Sequence, residues 1–260
     1  MINQIIHGDC LDVMKGIPDN YIDLTVTSPP YDNLRTYNGF VFDFEGIAQE
    51  LYRVTKDGGV VVWVVGDATI KGSETLTSFK QAIYFREIGF NVHDTMIYRK
   101  NSYPFPPSNR YYQQFEYMFV LSKGSPKTFN GLTQETIYRK KTSEISTTRQ
   151  KDGTTKAMKY EKGKDSRLKD NIWELNTGYM RSSKDKISFK HPATFPEQLA
   201  EDHILSWSNP GDVVLDPMCG SGTTCKMAVK NGRQYIGIDI SDEYCDIARQ
   251  RIAQVMANDE

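Results

Sequence analysis

Apolar residues in this chain fall into short runs, and the spacing within each run predicts a strand or a helix. Tyr21 to Thr27 alternates Ile22, Leu24 and Val26 with polar neighbours, the two-residue period of a strand. Phe44 to Val54 has helical spacing and is expected to close at Asp57-Gly58-Gly59, while VVVWVV at 60–65 is unbroken and predicts a buried strand. A helix is expected from Glu74 to Ile88, stopped by Gly89, where helices end with positive φ. Phe115 to Leu121 predicts a strand, Pro196 to Trp207 a helix, and Val213 to Leu215 a short strand entering a glycine-rich loop. The last unit is a strand from Tyr235 to Asp239 and a helix from Asp242. Ser241 caps that helix, and Tyr244, Ile247, Ala248, Ile252 and Val255 share one face. Alternating strands and helices imply an α/β fold, a doubly wound and mostly parallel sheet covered on both faces. No internal repeat is visible.

Composition changes this picture in one place. The 260 residues suit one large α/β domain with an insertion as well as two small domains, and the formal net charge is −1. That near-neutral value hides two parts. Residues 123–190 carry 17 Lys and Arg against 8 Asp and Glu, and the remainder 15 against 25. The basic stretch is rich in Ser, Thr and Gly and shows no apolar period, so irregular structure is expected. It reads either as a solvated loop or as a surface for a polyanion, where lysines displace counterions from phosphates. Four cysteines, Cys10, Cys219, Cys225 and Cys245, form no CxxC pair, so neither a metal site nor a disulfide framework is expected. The N-terminus lacks a signal-peptide pattern and no apolar run could span a bilayer, which predicts a soluble cytoplasmic protein without a membrane partner.

Three motifs carry candidate chemistry. DPMCGSGTT places Asp216 at a strand end, then Gly220, Ser221 and Gly222, then a helix start at Thr223 or Thr224. Glycines allow close backbone approach, and a helix start offers free N–H groups. Asp239, ending the next strand, is placed to accept from ribose hydroxyls. A nicotinamide site would want a small residue where Cys225 stands, and Asp216 suits a cationic ligand better than a pyrophosphate. The third motif, TSPPY, ends the strand at 21–27. Two prolines exclude helix interior and central strand. Pro29 cannot donate, so its surroundings present carbonyl acceptors; Ser28 adds a hydroxyl and Tyr31 a flat face. Together these suit a planar group bearing an exocyclic amine, such as an extruded nucleobase.

TSPPY, DPMCGSGTT and GIDIS, in that order around a basic segment, resemble the amino-methylating DNA methyltransferases, in the permuted beta group. HGDC at 7–10 resembles that group's acidic cofactor motif, residues 97–123 its target-pocket segment, and HPATFPEQL at 191–199 the motif beside the methionine moiety. Met218 departs from the family's usual phenylalanine. The resemblance implies a circularly permuted class I methyltransferase fold divided as 1–123, the target-base half; 124–190, a basic target-recognition region; and 191–260, the cofactor half. It implies S-adenosyl-L-methionine as cofactor, with contacts from Asp9, Cys10, Asp216, Pro217, Met218, Gly220, Ser221, Gly222, Thr223, Asp239, Ile240, His191, Pro192 and Phe195. Ser28, Pro29, Pro30 and Tyr31 would act on the base. Double-stranded DNA would be met by Arg35, Asn101, Arg110, Arg139, Lys140 and Lys141.

Ser28 resembles the cytosine-N4 branch, which makes that amine the expected target and adenine N6 the alternative. No cysteine follows a proline, so a C5-cytosine route through a thiolate is not expected. A nicotinamide-dependent oxidoreductase would share the fold without using TSPPY or the basic segment, and a non-catalytic DNA-binding module would keep only that segment. A cognate restriction endonuclease and a homodimer are partners that the resemblance allows.

Overall fold

The computed structural model describes residues 1–30, 42–101, 109–135, 145–159, 165–190 and 195–258. Tyr31, Arg35, Arg139, Lys140, Lys141, His191 and Pro192 lie outside them.

The chain forms two compact units, residues 1–130 with 171–260, and residues 131–170. In the larger unit the elements run β1 (Gln4–His7), α1 (Cys10–Lys15), β2 (Ile22–Thr27), α2 (Phe44–Val54), β3 (Thr55–Val65), α3 (Thr77–Glu87), β4 (Asn91–Lys100), β5 (Phe115–Ser122), β6 (Ile172–Leu175), α4 (Glu197–Trp207), β7 (Val213–Asp216), α5 (Thr223–Lys230), β8 (Gln234–Asp239) and α6 (Asp242–Asn258). These eight strands form one sheet in the order β1-β8-β7-β2-β3-β5-β4-β6. Its neighbours pair in parallel except on either side of β5. The expected mostly parallel, doubly wound sheet is therefore present.

Its winding determines where a ligand can sit. From β2 through α2 the chain steps to β3 in one direction, and from β7 through α5 it steps to β8 in the other. Right-handed crossovers place helices from opposite steps on opposite faces. Accordingly α1–α2 and α2–α3 pack together, as do α4–α5 and α5–α6. Between β2 and β7 the step direction reverses, and the crevice outside the carboxyl ends of such strands is the usual ligand site of open α/β sheets.

Burial explains the strands. Val60 to Val65 are all at most 1% exposed, as expected of a strand covered on both faces. Trp63 is buried against Phe44 and Phe85, and its indole N–H donates to Gln81 at 2.8 Å.

Several expected boundaries need correction. Asp57-Gly58-Gly59 does not close α2: the helix ends at Val54, and the glycines lie inside β3 at a register shift. Gly58 has φ 81° there and donates to the Lys123 carbonyl. The helix expected from Glu74 begins at Thr77, because Lys71 (φ 49°) and Gly72 (φ 84°) turn Thr69–Ile70 back onto Ser73–Glu74 as a small hairpin.

The smaller unit is shorter than the basic stretch, since residues 171–190 return to the larger unit and supply β6. It carries 11 Lys and Arg against 6 Asp and Glu. Instead of the expected irregular structure it contains two antiparallel pairs, Thr133–Glu135 with Ser166–Leu168 and Ile145–Arg149 with Thr155–Lys159. Among the described residues no helix is long and apolar enough to cross a membrane.

Candidate functional site

Parallel pairing brings the motifs to one edge. His7 lies beside Asp239, Asp216 beside Gly237, and Leu215 beside Thr25. HGDC, GIDIS, DPMCGSG and TSPP therefore follow the carboxyl ends of four consecutive strands, β1, β8, β7 and β2.

Hydrogen bonds join the two central motifs directly. The Thr27 hydroxyl donates to Asp216 Oδ1 at 2.8 Å, and the Thr224 hydroxyl donates to the Val26 carbonyl at 3.0 Å. The end of β2, which delivers Ser28-Pro29-Pro30, is thus fixed by the residue before the glycine loop and by the helix after it. Pro29 is buried, and Ser28 and Pro30 are half-buried.

The glycine loop is held from several sides. Asp239 Oδ2 accepts from Gly220 N at 2.8 Å and its Oδ1 from Ser241 N at 2.9 Å. Gly222 has φ 75°, and a Cβ there would lie 2.6 Å from Ala248 Cβ, so only glycine lets α6 pack against this turn. Ser241 caps α6 as expected, its hydroxyl facing Tyr244 N at 3.4 Å. Asp9 caps α1, accepting from Leu11 N at 2.8 Å, and remains exposed. Met218 is half-buried against the core, while Pro217, Ser221 and Thr223 are buried. Ile240 accepts at its carbonyl from the His7 ring at 3.1 Å, and Phe195 is half-buried.

Asp216 is 1% exposed, and Oδ1 also accepts from Met218 N at 3.2 Å. Burial raises its pKa from the ordinary 3.8 to about 6, against the hydrogen bonds that lower it. Burial therefore favours the protonated carboxyl relative to the unfolded chain, while above about pH 6 the carboxylate still predominates. The stabilising contribution of the protonated form is full below about pH 4 and is lost as the pH rises through 6, a difference of about 3 kcal/mol for about two pKa units. In the ligand-free protein, Asp216→Asn is expected to raise the melting temperature at pH 7.5, with the gain vanishing near pH 4. Melting curves of both proteins at several pH values test this, and a pH-independent difference would refute it.

Burial also pushes the Cys10 thiol up to about 12, with Asp9 adding to the effect, and raises Cys219 and Cys225 well above the ordinary value. None of these thiols is a ready thiolate nucleophile at neutral pH. Among the described residues no cluster of three or more His, Cys, Asp or Glu could hold a metal.

The two described DNA-contact candidates lie on the same sheet edge, Asn101 after β4 and Arg110 before β5. Both have structural partners. Asn101 donates to Asn176 Oδ1 at 2.6 Å and accepts from Thr177 N at 3.1 Å; Arg110 donates to Thr69 Oγ1 and to the Gly72 carbonyl, both at 2.9 Å.

Sequence reading missed the support behind the loop. Arg251 is 0% exposed and Lys226 8%, and both pair with Asp185 and Glu197. The only local signal was a charged residue at a helix position facing the core, which periodicity alone does not distinguish from an exposed one.

An open α/β sheet with a glycine loop and a strand-end acid beside its switch point is the usual setting for a nucleoside-type ligand. Comparison with known proteins identifies the family. A family model described as DNA methylase matches residues 22–250, and the chain belongs to this family of N4 and N6 amino-methyltransferases. It is 60% identical over 241 residues to the orphan methyltransferase M.BamHII of Bacillus amyloliquefaciens, covering 92% of this chain and 91% of that one. It is 28% identical over 265 residues to the DNA adenine methyltransferase YhdJ of Escherichia coli, covering 95% and 82%. Among solved structures, TTHA0409 from Thermus thermophilus, complexed with S-adenosyl-L-methionine, superposes with a TM-score of 0.67 at 26% identity, covering 97% of this chain and 94% of that one.

Proposed function

We propose that this DNA methyltransferase acts on the N4 amine of a cytosine extruded from duplex DNA, with S-adenosyl-L-methionine as methyl donor. The observation that carries this reading is the join between TSPP and DPMCGSG: Thr27 and Asp216 are hydrogen-bonded across β2 and β7, so a base held by the first motif would lie beside a ligand held by the second.

The site's chemistry fits the donor. Among the described residues no Lys or Arg pairs with Asp9, Asp216 or Asp239, so the acids suit a cationic ligand and not a pyrophosphate. Each Asp239 oxygen has one backbone donor and one further acceptor position, enough for two ribose hydroxyls. Contacts from Cys10, Pro217, Met218, Gly220 to Thr223, Ile240, His191, Pro192 and Phe195 complete the proposed cofactor site. S-adenosyl-L-methionine, when bound, supplies an electrophilic methyl group on a sulfonium.

The chain's own part is positioning. Ser28 and the Pro29 carbonyl accept the two amine N–H bonds, which localises the nitrogen lone pair toward the methyl. Pro30 keeps the turn rigid and Tyr31 stacks on the base. The prolines remove conformations that would otherwise have to be frozen out, so the acceptors are preorganised where charge changes. Residues 131–170 are proposed to read the sequence context through Arg139, Lys140 and Lys141, with Arg35, Asn101 and Arg110 meeting the duplex near the base. Cytosine is preferred on Ser28; YhdJ, described as an adenine methyltransferase, supports adenine N6 as the second reading.

The test is incubation with unmethylated bacterial DNA and S-adenosyl-L-methionine, digestion to nucleosides, and mass spectrometry. N4-methyldeoxycytidine is expected. N6-methyldeoxyadenosine instead would keep the mechanism and remove Ser28 as the feature that chooses the base. Protein lacking residues 131–170 is expected to lose any fixed sequence context around the modified base.

A further inference from the structure

Arg251 lies in the middle of α6, far from either end, and its guanidinium is fully buried. A buried arginine is costly unless every donor is used. Here Nε donates to Asp185 Oδ2 at 3.1 Å and Nη2 to Glu197 Oε1 at 2.7 Å. Lys226 Nζ bonds the same two oxygens at 2.6 and 2.7 Å, so two cations face two acids. Burial opposes ionisation of Asp185, yet hydrogen bonds from Lys226 and Arg251 hold its carboxyl below the usual range.

Neutralisation uses only part of the guanidinium. Nη1 points elsewhere, donating to the Ser221 carbonyl at 2.6 Å, with the Ser221 hydroxyl at 3.0 Å and the Thr223 hydroxyl at 3.2 Å. Ser221 stands between Gly220 (φ 50°) and Gly222 (φ 75°), where no regular backbone pattern fixes it. Ala248, three residues before Arg251 and so on the same helical face, closes against Gly222. One face of α6 thus holds the middle of the glycine loop from behind, while Asp239 holds Gly220 at its start.

We propose that Arg251 is a positioning residue for cofactor binding: through Ser221 and Thr223 it sets the backbone of the glycine loop, and the Asp185–Glu197–Lys226 cluster sets Arg251. This rests on the reading of the loop as the S-adenosyl-L-methionine site. It differs from a general stabilising role because one arm of the guanidinium goes to the ligand loop.

Arg251→Lys is the discriminating change, since it keeps the charge balance but replaces the planar fork by a point charge. By calorimetry, at a temperature where both proteins are folded, R251K is expected to bind S-adenosyl-L-homocysteine roughly tenfold more weakly. The KM for S-adenosyl-L-methionine should rise similarly, with kcat at saturation and DNA affinity within about twofold. A lower melting temperature with unchanged S-adenosyl-L-homocysteine affinity would overturn the proposal. Asp185→Asn, which loosens the guanidinium without touching the loop, provides a second measurement if R251K does not fold. A roughly threefold weaker affinity is expected there, and an unchanged one counts against the proposal. If the wild-type protein itself fails to bind S-adenosyl-L-homocysteine, the cofactor reading of the loop fails first, which the same titration shows.

Discussion

Tyr31→Ala is expected to lower kcat on duplex DNA by about 10- to 100-fold while leaving S-adenosyl-L-homocysteine affinity within about twofold. The magnitude follows from stacking on a single base, which alanine substitution puts at roughly 1–3 kcal/mol. The selectivity follows from topology. Tyr31 comes directly after Ser28-Pro29-Pro30 at the end of β2, whereas most of the proposed cofactor contacts follow β1, β7 and β8, and the remainder precede α4. Tyr31→Phe keeps the ring and should retain most of the rate. Single-turnover kinetics with both substrates saturating separate the chemical step from binding. A rate unchanged in the alanine variant would end the stacking role, and a parallel loss of S-adenosyl-L-homocysteine affinity would mean that Tyr31 supports the cofactor pocket instead.

The outcome for Tyr31 bears on why the sequence was informative here. TSPP and DPMCGSG were legible because each sits at the end of an apolar run. Prolines and glycines there restrict the backbone in ways that need no knowledge of tertiary contacts. The sheet was legible for the same reason: the unbroken run Val60 to Val65 and the alternation in Tyr21 to Thr27 mark strands, although Thr25 and Thr27 are buried too and the second strand is covered on both faces. What was missed depends on partners distant in sequence. Asn91–Lys100 is polar in its first half apart from Val92, and becomes a strand because β5 and β6 pair on either side of it. In the basic segment, Asp152-Gly153 is the turn signal between Ile145–Arg149 and Thr155–Lys159. The flanking residues lacked the apolar alternation that would have made the hairpin stand out. Arg251 shows the limit most plainly. Its face of α6 was correctly marked by Ile247, Ala248 and Ile252, but a buried arginine is satisfied only by Asp185, Glu197 and Ser221, and no local pattern announces those.

The same distinction between local and distant support decides the second large effect. Asp239→Ala is expected to weaken S-adenosyl-L-homocysteine binding by about 100-fold or more, with DNA affinity unchanged. Asp239 does two things at once. Its two oxygens accept from Gly220 N and Ser241 N, fixing the loop start and the first turn of α6, and their remaining acceptor positions are those proposed for the ribose hydroxyls. Hydrogen bonds to a charged acceptor contribute roughly 1.5–3 kcal/mol each, so losing two to the ligand accounts for a hundredfold even before the loop relaxes. Asp239→Asn separates the two roles: the amide keeps one acceptor but turns a donor toward a backbone N–H or a hydroxyl. It should therefore also bind weakly, although the residue's size is unchanged. Titrations of both variants with S-adenosyl-L-homocysteine and with a duplex decide the matter. Intact S-adenosyl-L-homocysteine affinity with impaired DNA binding would place the ribose elsewhere and make Asp239 a support for the target side of the switch point, where Asp216 and Thr27 already join the two motifs.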